Sequence, residues 1–432
     1  MSKAFLKLNN TSATLASLGK PLEGTKLIDM TAVIAGPYTG MQLAELGMEV
    51  IKLENADGVG DSYRYGGSRV DMPSGERYGA SYASFNRGKM SIAVNSKSKE
   101  GQEIVKKLVK DADVFLQNMR PGVMERLGLN YEELKKVNPN LIYVSISGYG
   151  SSGPMVEDPV YDPLIQARSG FIKVQERVAG TTTLINSLVH DKTTAMVAVQ
   201  AIIAALFKRE FKKAGGTHIE IAMLDVGMQF LWGEVHANNH YIVDKKGKGV
   251  KEQPNIIPET FAVYPCKDGH IAFLGMPNQD KFSGFCRAFA PWMETDPRFA
   301  QPFARIVKNL DEFKLEIGKA LSNFTKDEIM KVFRREDIPG APALSFEESY
   351  KQPQAIHNEI TYERFNEKAG VTVRDARLAP KFDGKRLALE THAPLYAEHS
   401  VEILKELGYS EGTINDFAKN GVIQTHWERQ KR

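Results

Sequence analysis

The first 220 residues alternate strand and helix patterns, and no other feature narrows the choice of folds as far. "KLIDM" (Lys26–Met30) has the length and apolarity of a short buried strand. The small-residue loop "TAVIAGP" follows. "YTGMQLAEL" (Tyr38–Leu46) has helical spacing and is closed by Gly47, and "EVIKLE" (Glu49–Glu54) is a second strand. The unit then repeats. "KMSIAVN", "DVFLQN", "NLIYVSISGYG" and "THIEIAM" have strand character, and "SKEGQEIVKKLVKD", opened by Ser98, and "YEELKKV" lie between them as helices. Parallel strands need crossovers, and crossover helices cover both faces of the sheet. The expected fold is therefore α/β, with a large doubly wound, Rossmann-like domain.

With 432 residues the chain exceeds what one hydrophobic core holds. The pattern changes after about Asn238. "DKKGKGVKEQPN" is a polar linker, "TFAVYPCKDGHIAFLG" a hairpin turned at Asp268-Gly269, and amphipathic helices follow, ending where "DIPGAPA" breaks the pattern. A smaller inserted α+β domain is expected over 239–349. The large domain then comprises 1–238 and 350–432, completed by the helical tail "EHSVEILKELGYSEGTINDFAKNGV".

The net charge of +3 comes without a basic block, which argues against a nucleic-acid binder. Two cysteines, Cys266 and Cys286, make neither a disulfide framework nor a zinc cluster. No metal is expected, and a cytoplasmic protein is. The N-terminal 20 residues lack the apolar core of a secretory signal and read as a loose tail. The apolar run Ala195–Phe207 falls short of the roughly 20 residues a membrane span needs. It reads instead as a helix buried on every side.

Several residues carry candidate chemistry. Val33-Ile34-Ala35-Gly36-Pro37 follows the first strand, where doubly wound folds bind nucleotides, but lacks the G-x-G-x-x-G fingerprint. It is a structural turn or a binding loop. Arg64, Arg87, Lys89, Arg120 and Arg126 lie near later strand ends, as surface charges or as phosphate ligands. Tyr161 and Asp162 form a loop pair. The nine histidines, His190 and His218 among them, have no metal or triad spacing. Asp191 stands just ahead of the apolar run, where an aspartate caps a helix by accepting from unpaired amides.

Taken in order, "LIDMTAVIAGPYTGMQLAELGMEVIKLE", "NRGKMSI", "NMRPGVMERLGL", "YDPLIQARSG", "DKTTAMVAVQAIIAAL", "GGTHIEIAMLD", "YPCKDGHIAF" and "EHSVEILKELGYS" resemble the class III CoA-transferases. That family includes formyl-CoA and L-carnitine CoA-transferases and, as a branch, the α-methylacyl-CoA racemases. The resemblance runs from Pro21 to Val422. It implies that Asp191 attacks the thioester of an acyl-CoA, giving an aspartyl-acyl anhydride and then an aspartyl-CoA thioester, so that CoA passes from one carboxylic acid to another. Coenzyme A is then a substrate, an acyl-CoA the donor and a carboxylic acid the acceptor. The resemblance also implies CoA contacts from Val33, Ile34, Ala35, Lys89, Asn118, Met119, Arg120 and Arg126. Asp162 stands where formyl-CoA transferase has an acidic glutamate and is a candidate assisting acid. The family's interlocked homodimer is the expected assembly.

There are departures. Asn55 replaces an arginine of formyl-CoA transferase, and the glycine-run loop over its active site is missing, with "KKGKG" (Lys245–Gly249) the nearest substitute. An oxalate–formate enzyme is therefore not expected. Met223, Met228, Phe230 and Trp232 are either an acyl pocket or core. One alternative is a racemase, whose histidine base would stand at Tyr161, a poor base with a phenol pKa of about 10. The other is a non-catalytic CoA-binding module in which Asp191 only caps a helix.

Overall fold

The computed structural model describes residues 19–72, 74–233, 260–274, 276, 278–389 and 391–427. The tail 1–18, most of the polar linker region and the "KKGKG" loop lie outside these residues. The chain divides into two compact units. The first comprises residues up to Gln175, Thr181–Gln229 and Asn358 onward, and the second Glu176–Gly180 with Phe230–His357.

The first unit is built on six parallel strands: β1 (Lys26–Met30), β2 (Glu49–Glu54), β3 (Lys89–Val94), β4 (Val114–Gln117), β5 (Ile142–Ser147) and β6 (Thr217–Ala222). Their order is β3-β2-β1-β4-β5-β6, with Ile423–Gln424 added antiparallel outside β3. This is the doubly wound order, which reverses between β1 and β4. Leu27 pairs with Val50 on one side and Val114 on the other. The strands read as continuous apolar runs because both faces are covered. On one face α1 (Ala35–Glu45) and the long helix α5 (Val189–Lys212) pack Met41, Leu43, Ala198 and Ile202 onto Val50, Val114, Leu116 and Val144. On the other, α2 (Lys99–Lys110) and α3 (Tyr131–Val137) pack Ile104, Val105, Leu108 and Leu134 onto Ile92, Phe115 and Tyr143.

The C-terminal return completes this second face. Helices Ser400–Glu406 and Glu411–Lys419 contribute Ile403, Leu404 and Ile414 to the same core. The His399 amide donates to the Ser91 carbonyl at 2.9 Å, and the His399 ring nitrogen Nδ1 accepts from the Ser91 amide at 3.1 Å.

The apolar run in α5 differs from expectation. Thr194, Ala195, Ala198, Ile202, Ala205 and Leu206 are buried, but Met196, Ile203, Phe207 and Phe211 are exposed. The helix lies on one side of a sheet, so among the described residues the stripe toward the strands is the covered one.

A charged layer runs through the interior. The Lys89 ammonium, at zero exposure, donates to Asp29 Oδ2 at 2.7 Å and to the Pro37 carbonyl and Asn86 Oδ1 at 2.8 Å each. Arg64 pairs with Glu54 at 2.6 Å and Glu76 at 3.2 Å. Arg87 meets Glu45 and Asp375. Removing one partner of a buried pair strands the other charge. Asp29→Ala is therefore expected to lower unfolding free energy by about 3–5 kcal/mol, measured by urea denaturation. A loss below about 1 kcal/mol would show that Lys89 does not depend on it.

The second unit has a three-stranded antiparallel sheet, with Gly269–Leu274 between Phe261–Cys266 and Gly340–Pro342. Its core is rich in phenylalanine, including Phe273, Phe282, Phe285, Phe313 and Phe333. "DIPGAPA" does not simply interrupt the pattern, since Gly340–Pro342 is a strand. It lies at a sheet edge, where a proline's missing N–H need cost no ladder bond.

Candidate active site

The strand order places a crevice between the carboxyl ends of β1 and β4. Two loops meet there. The Asn118 side chain, just past β4, accepts from the Ala32 amide at 3.0 Å and donates to the Ala32 carbonyl at 2.9 Å. The next residue, Val33, has φ of +75°, an outlier for a β-branched side chain and a strain of about 1–3 kcal/mol. Its amide is held by Asp61 Oδ1 at 3.1 Å. Asp61 is held in turn by the Lys52 ammonium at 2.9 Å, which also donates to the Thr31 carbonyl at 2.9 Å. Gly36 allows α1 to begin close by, because a Cβ there would lie 2.3 Å from that of Thr31.

Asp191 reaches this loop from α5. The helix starts at Val189, so Asp191 is its third residue and not its N-cap. The cap is supplied from far along the chain. Asp162, at the start of α4 (Asp162–Arg168), accepts with Oδ2 from the amides of His190 at 2.6 Å and Asp191 at 3.0 Å. Its Oδ1 accepts from Gln166 at 2.7 Å. Asp162 is thus buried, accepts with both oxygens and caps the helix that carries Asp191.

With its own helix start occupied, the Asp191 carboxylate instead lies near the amide of Ala35, the first residue of α1, close enough for that N–H to favour its charged form. Its oxygens face the N-terminus of a neighbouring helix, a favourable place for an anion. The net balance still runs the other way. Burial foremost, then the Asp162 charge, push the Asp191 carboxyl up to about 7, against the opposing Ala35 hydrogen bond. A helix start, which favours the ionised form, is the smaller effect here.

Val33, Ile34, Ala35 and Asn118 come together at the crevice, with Asp191 against Ala35. Met119 and Arg120 follow Asn118 and line a cleft of about 110 Å³ with Gln117, Ser145 and His218, which Asp191 does not line. Arg120 and Arg126 are exposed, and among the described residues neither has an ion pair. Lys89 differs from expectation: its three donors are all used within the fold, leaving none for a phosphate. Arg64 and Arg87 are likewise buried in ion pairs. Met223 is core, whereas Met228, Phe230 and Trp232 are exposed. His190 has no exposure. Its ring packs edge-on against Phe171 at 5.0 Å, and a Cβ at Gly227 would come within 2.9 Å of it.

The sequence reading missed Lys52 and Asp61, and the neighbouring Tyr63, whose amide Asp61 also accepts from. A lysine inside the apolar strand "EVIKLE" was a signal for the first. Asp61 and Tyr63 gave none, because their roles depend on a turn folding back onto the β1 loop.

A doubly wound sheet with a half-buried carboxylate at its switch point, near a second helix start, defines a class of α/β protein with a reactive group where such folds bind ligands. Comparison with known proteins supplies the particular one. Residues 22–400 match CoA-transferase family III, and the chain belongs to that family. It is 31% identical to a succinate–glutarate CoA-transferase of Agrobacterium fabrum, across 91% of this chain and 97% of that protein. It is 35% identical to an acetyl-CoA:oxalate CoA-transferase of Acetobacter aceti, across 80% and 86%. A crystal structure of a CaiB/BaiF family protein from Brucella suis is similar with a TM-score of 0.77 and 28% identity, covering 90% of this chain and all of that one. The protein is a CoA-transferase, an enzyme whose substrates are CoA thioesters and carboxylic acids. Among the described residues no helix is long and apolar enough to cross a membrane, and no cluster of three or more His, Cys, Asp or Glu side chains could hold a metal ion.

Proposed function

We propose that this enzyme moves CoA between short carboxylic acids through covalent attachment to Asp191. The observation that carries the reading is the placement of that carboxylate, half-buried at the crevice and near the first amide of α1. Asp191 attacks the acyl carbon of the donor thioester, forming the anhydride, and CoA thiolate leaves. The thiolate attacks the aspartyl carbonyl carbon and releases the donor acid, leaving an aspartyl-CoA thioester. The acceptor carboxylate attacks that thioester, expelling CoA thiolate and forming a second anhydride, and the thiolate then attacks the acceptor's acyl carbon, giving its CoA thioester and freeing the Asp191 carboxylate. A thiolate is a good leaving group, so no strong general acid is required.

The strained loop Val33–Ala35 with Asn118, Met119, Arg120 and Arg126 forms the CoA side of the site. Lys89 is not part of it. Asp162 holds the helix start that carries the nucleophile. Succinate, glutarate and oxalate, in the names of the two relatives above, are dicarboxylates, and a short dicarboxylate is the acceptor we assign. The exposed apolar stripe of α5, with Phe207 stacked on Phe211 at 4.3 Å, supports a homodimer, interlocked as in the family. The two free cysteines are in keeping with a cytoplasmic location.

The racemase alternative lacks its bases. His190 is enclosed in the core with its pKa lowered by burial, and Tyr161 is exposed. The test is a panel of acyl-CoA donors against mono- and dicarboxylic acids, read by mass spectrometry, with hydroxylamine added to trap the intermediate. Exchange favouring dicarboxylates and a hydroxamate on Asp191 are expected. A hydroxamate on any other residue, or α-proton exchange in a 2-methylacyl-CoA without an acceptor acid, would sink the reading.

A further inference from the structure

The segment Gly60–Tyr63 received no role from the sequence, yet it folds against the loop at the crevice. Tyr63 lies in a single 3-10 turn, Ser62–Tyr65, capped by Asp61. The Asp61 oxygen that accepts from the Tyr63 amide at 3.0 Å also accepts from the Val33 amide at 3.1 Å. Two backbone N–H groups thus converge on one atom, fastening this turn to the loop before α1. Val33 is only two residues from Ala35, whose amide meets Asp191. The Tyr63 ring leans on Phe85 with centroids 6.1 Å apart, and Phe85 meets Tyr38 of α1 edge-on at 5.5 Å. This packing leaves the ring half-buried, and among the described residues its hydroxyl has no hydrogen-bond partner.

The electrostatics agree with that placement. Burial, then the charges of Asp191 and Asp61, raise the phenol above its ordinary value. Tyr63 is therefore close enough to feel the Asp191 charge and keeps its proton while Asp191 is ionised. A protonated donor with no side-chain or backbone partner among the described residues, within range of the Asp191 charge, is suited to the charge that develops when that carboxylate attacks a carbonyl.

We propose that Tyr63 is a catalytic donor whose O–H hydrogen-bonds the acyl carbonyl oxygen during attack by Asp191. The inference rests on the reading of Asp191 as nucleophile. As an Asp191 oxygen bonds to the acyl carbon, the carbonyl π pair moves onto its oxygen, which accepts from Tyr63. The pair then returns, the C–S bond breaks and its electrons leave on the CoA sulfur. Tyr63 retains its proton throughout, so no acid is consumed. A hydrogen bond that strengthens only as the oxyanion forms raises kcat and leaves ground-state binding nearly unchanged.

Tyr63→Phe keeps the ring on Phe85 and removes only the donor. It is expected to lower kcat about 10²-fold, with KM for both substrates within about threefold of wild type, as for loss of a contact made only in the transition state. The melting temperature should not change. A kcat within threefold of wild type, or a loss lying wholly in the KM of the acid, would overturn the assignment; the second result would make Tyr63 an acid-binding residue. If Tyr63→Phe fails to fold, 3-fluorotyrosine at this position replaces it. Its more acidic phenol shifts kcat if the hydroxyl donates to the oxyanion and leaves kcat unchanged otherwise. Asp191→Asn is assayed alongside. An active Asp191→Asn defeats the nucleophile reading itself, whereas an inactive Asp191→Asn beside a fully active Tyr63→Phe defeats only the donor assignment.

Discussion

Asp191→Asn is expected to lower CoA transfer by at least about 10⁴-fold, as loss of a covalent nucleophile does when the rest of the site is intact. The amide has nearly the volume of the carboxyl and keeps an acceptor oxygen near the Ala35 amide. The fold should therefore survive, with a melting temperature close to wild type. CoA affinity, measured by calorimetry, should change less than about tenfold, since the contacts assigned to CoA come from other loops. Dead chemistry with intact binding separates a nucleophile from a mere helix cap. Transfer within tenfold of wild type would end the covalent reading.

Asp162→Ala is expected to lower kcat by about 10²–10³-fold, because it frees the amides of His190 and Asp191 and lets the start of α5 shift. A displacement near 1 Å at a reacting atom costs about 10²-fold. Stability should fall by about 1–3 kcal/mol as buried amides lose their acceptor. The pH profile carries the sharper test. In the wild type Asp191 must lose its proton to attack, and its pKa lies at about 7. The free-enzyme rate constant kcat/KM therefore rises with pH through about 7 and levels off above it. Asp162 contributes to that elevated value through its negative charge. In Asp162→Asn, which removes the charge and keeps the bulk, the rising limb moves toward acid. A limb that stays in place, or moves toward alkali, contradicts the coupling of the two carboxylates.

The parts of the fold held by local rules were legible in the sequence. Strand and helix alternation placed β1 to β6 near their observed spans, and Ser98 caps α2 by accepting from the Gly101 amide. The site was legible where residues adjacent in sequence act together, as in Val33–Ala35. It was not where capping or charge pairing is long-range. Asp162 stands 28 positions before the His190 amide it accepts from, and no local pattern reveals that bond. Lys89 resembled a phosphate ligand by type, and only the approach of Asp29, 60 positions earlier, shows where its charge is used. The apolar run of α5 had no polar stripe to mark the side the sheet leaves uncovered.

The antiparallel pairing of Ile423–Gln424 with Val94 and Ala93 has a consequence during synthesis. Until that last strand leaves the ribosome, β3 is an open sheet edge, ready to pair with another chain. About 330 residues separate the partners, so at about 5–20 residues per second the edge waits roughly 15–65 s for its cover. The nascent polypeptide therefore carries its aggregation hazard in the half that emerges first, and its remedy in the residues translated last.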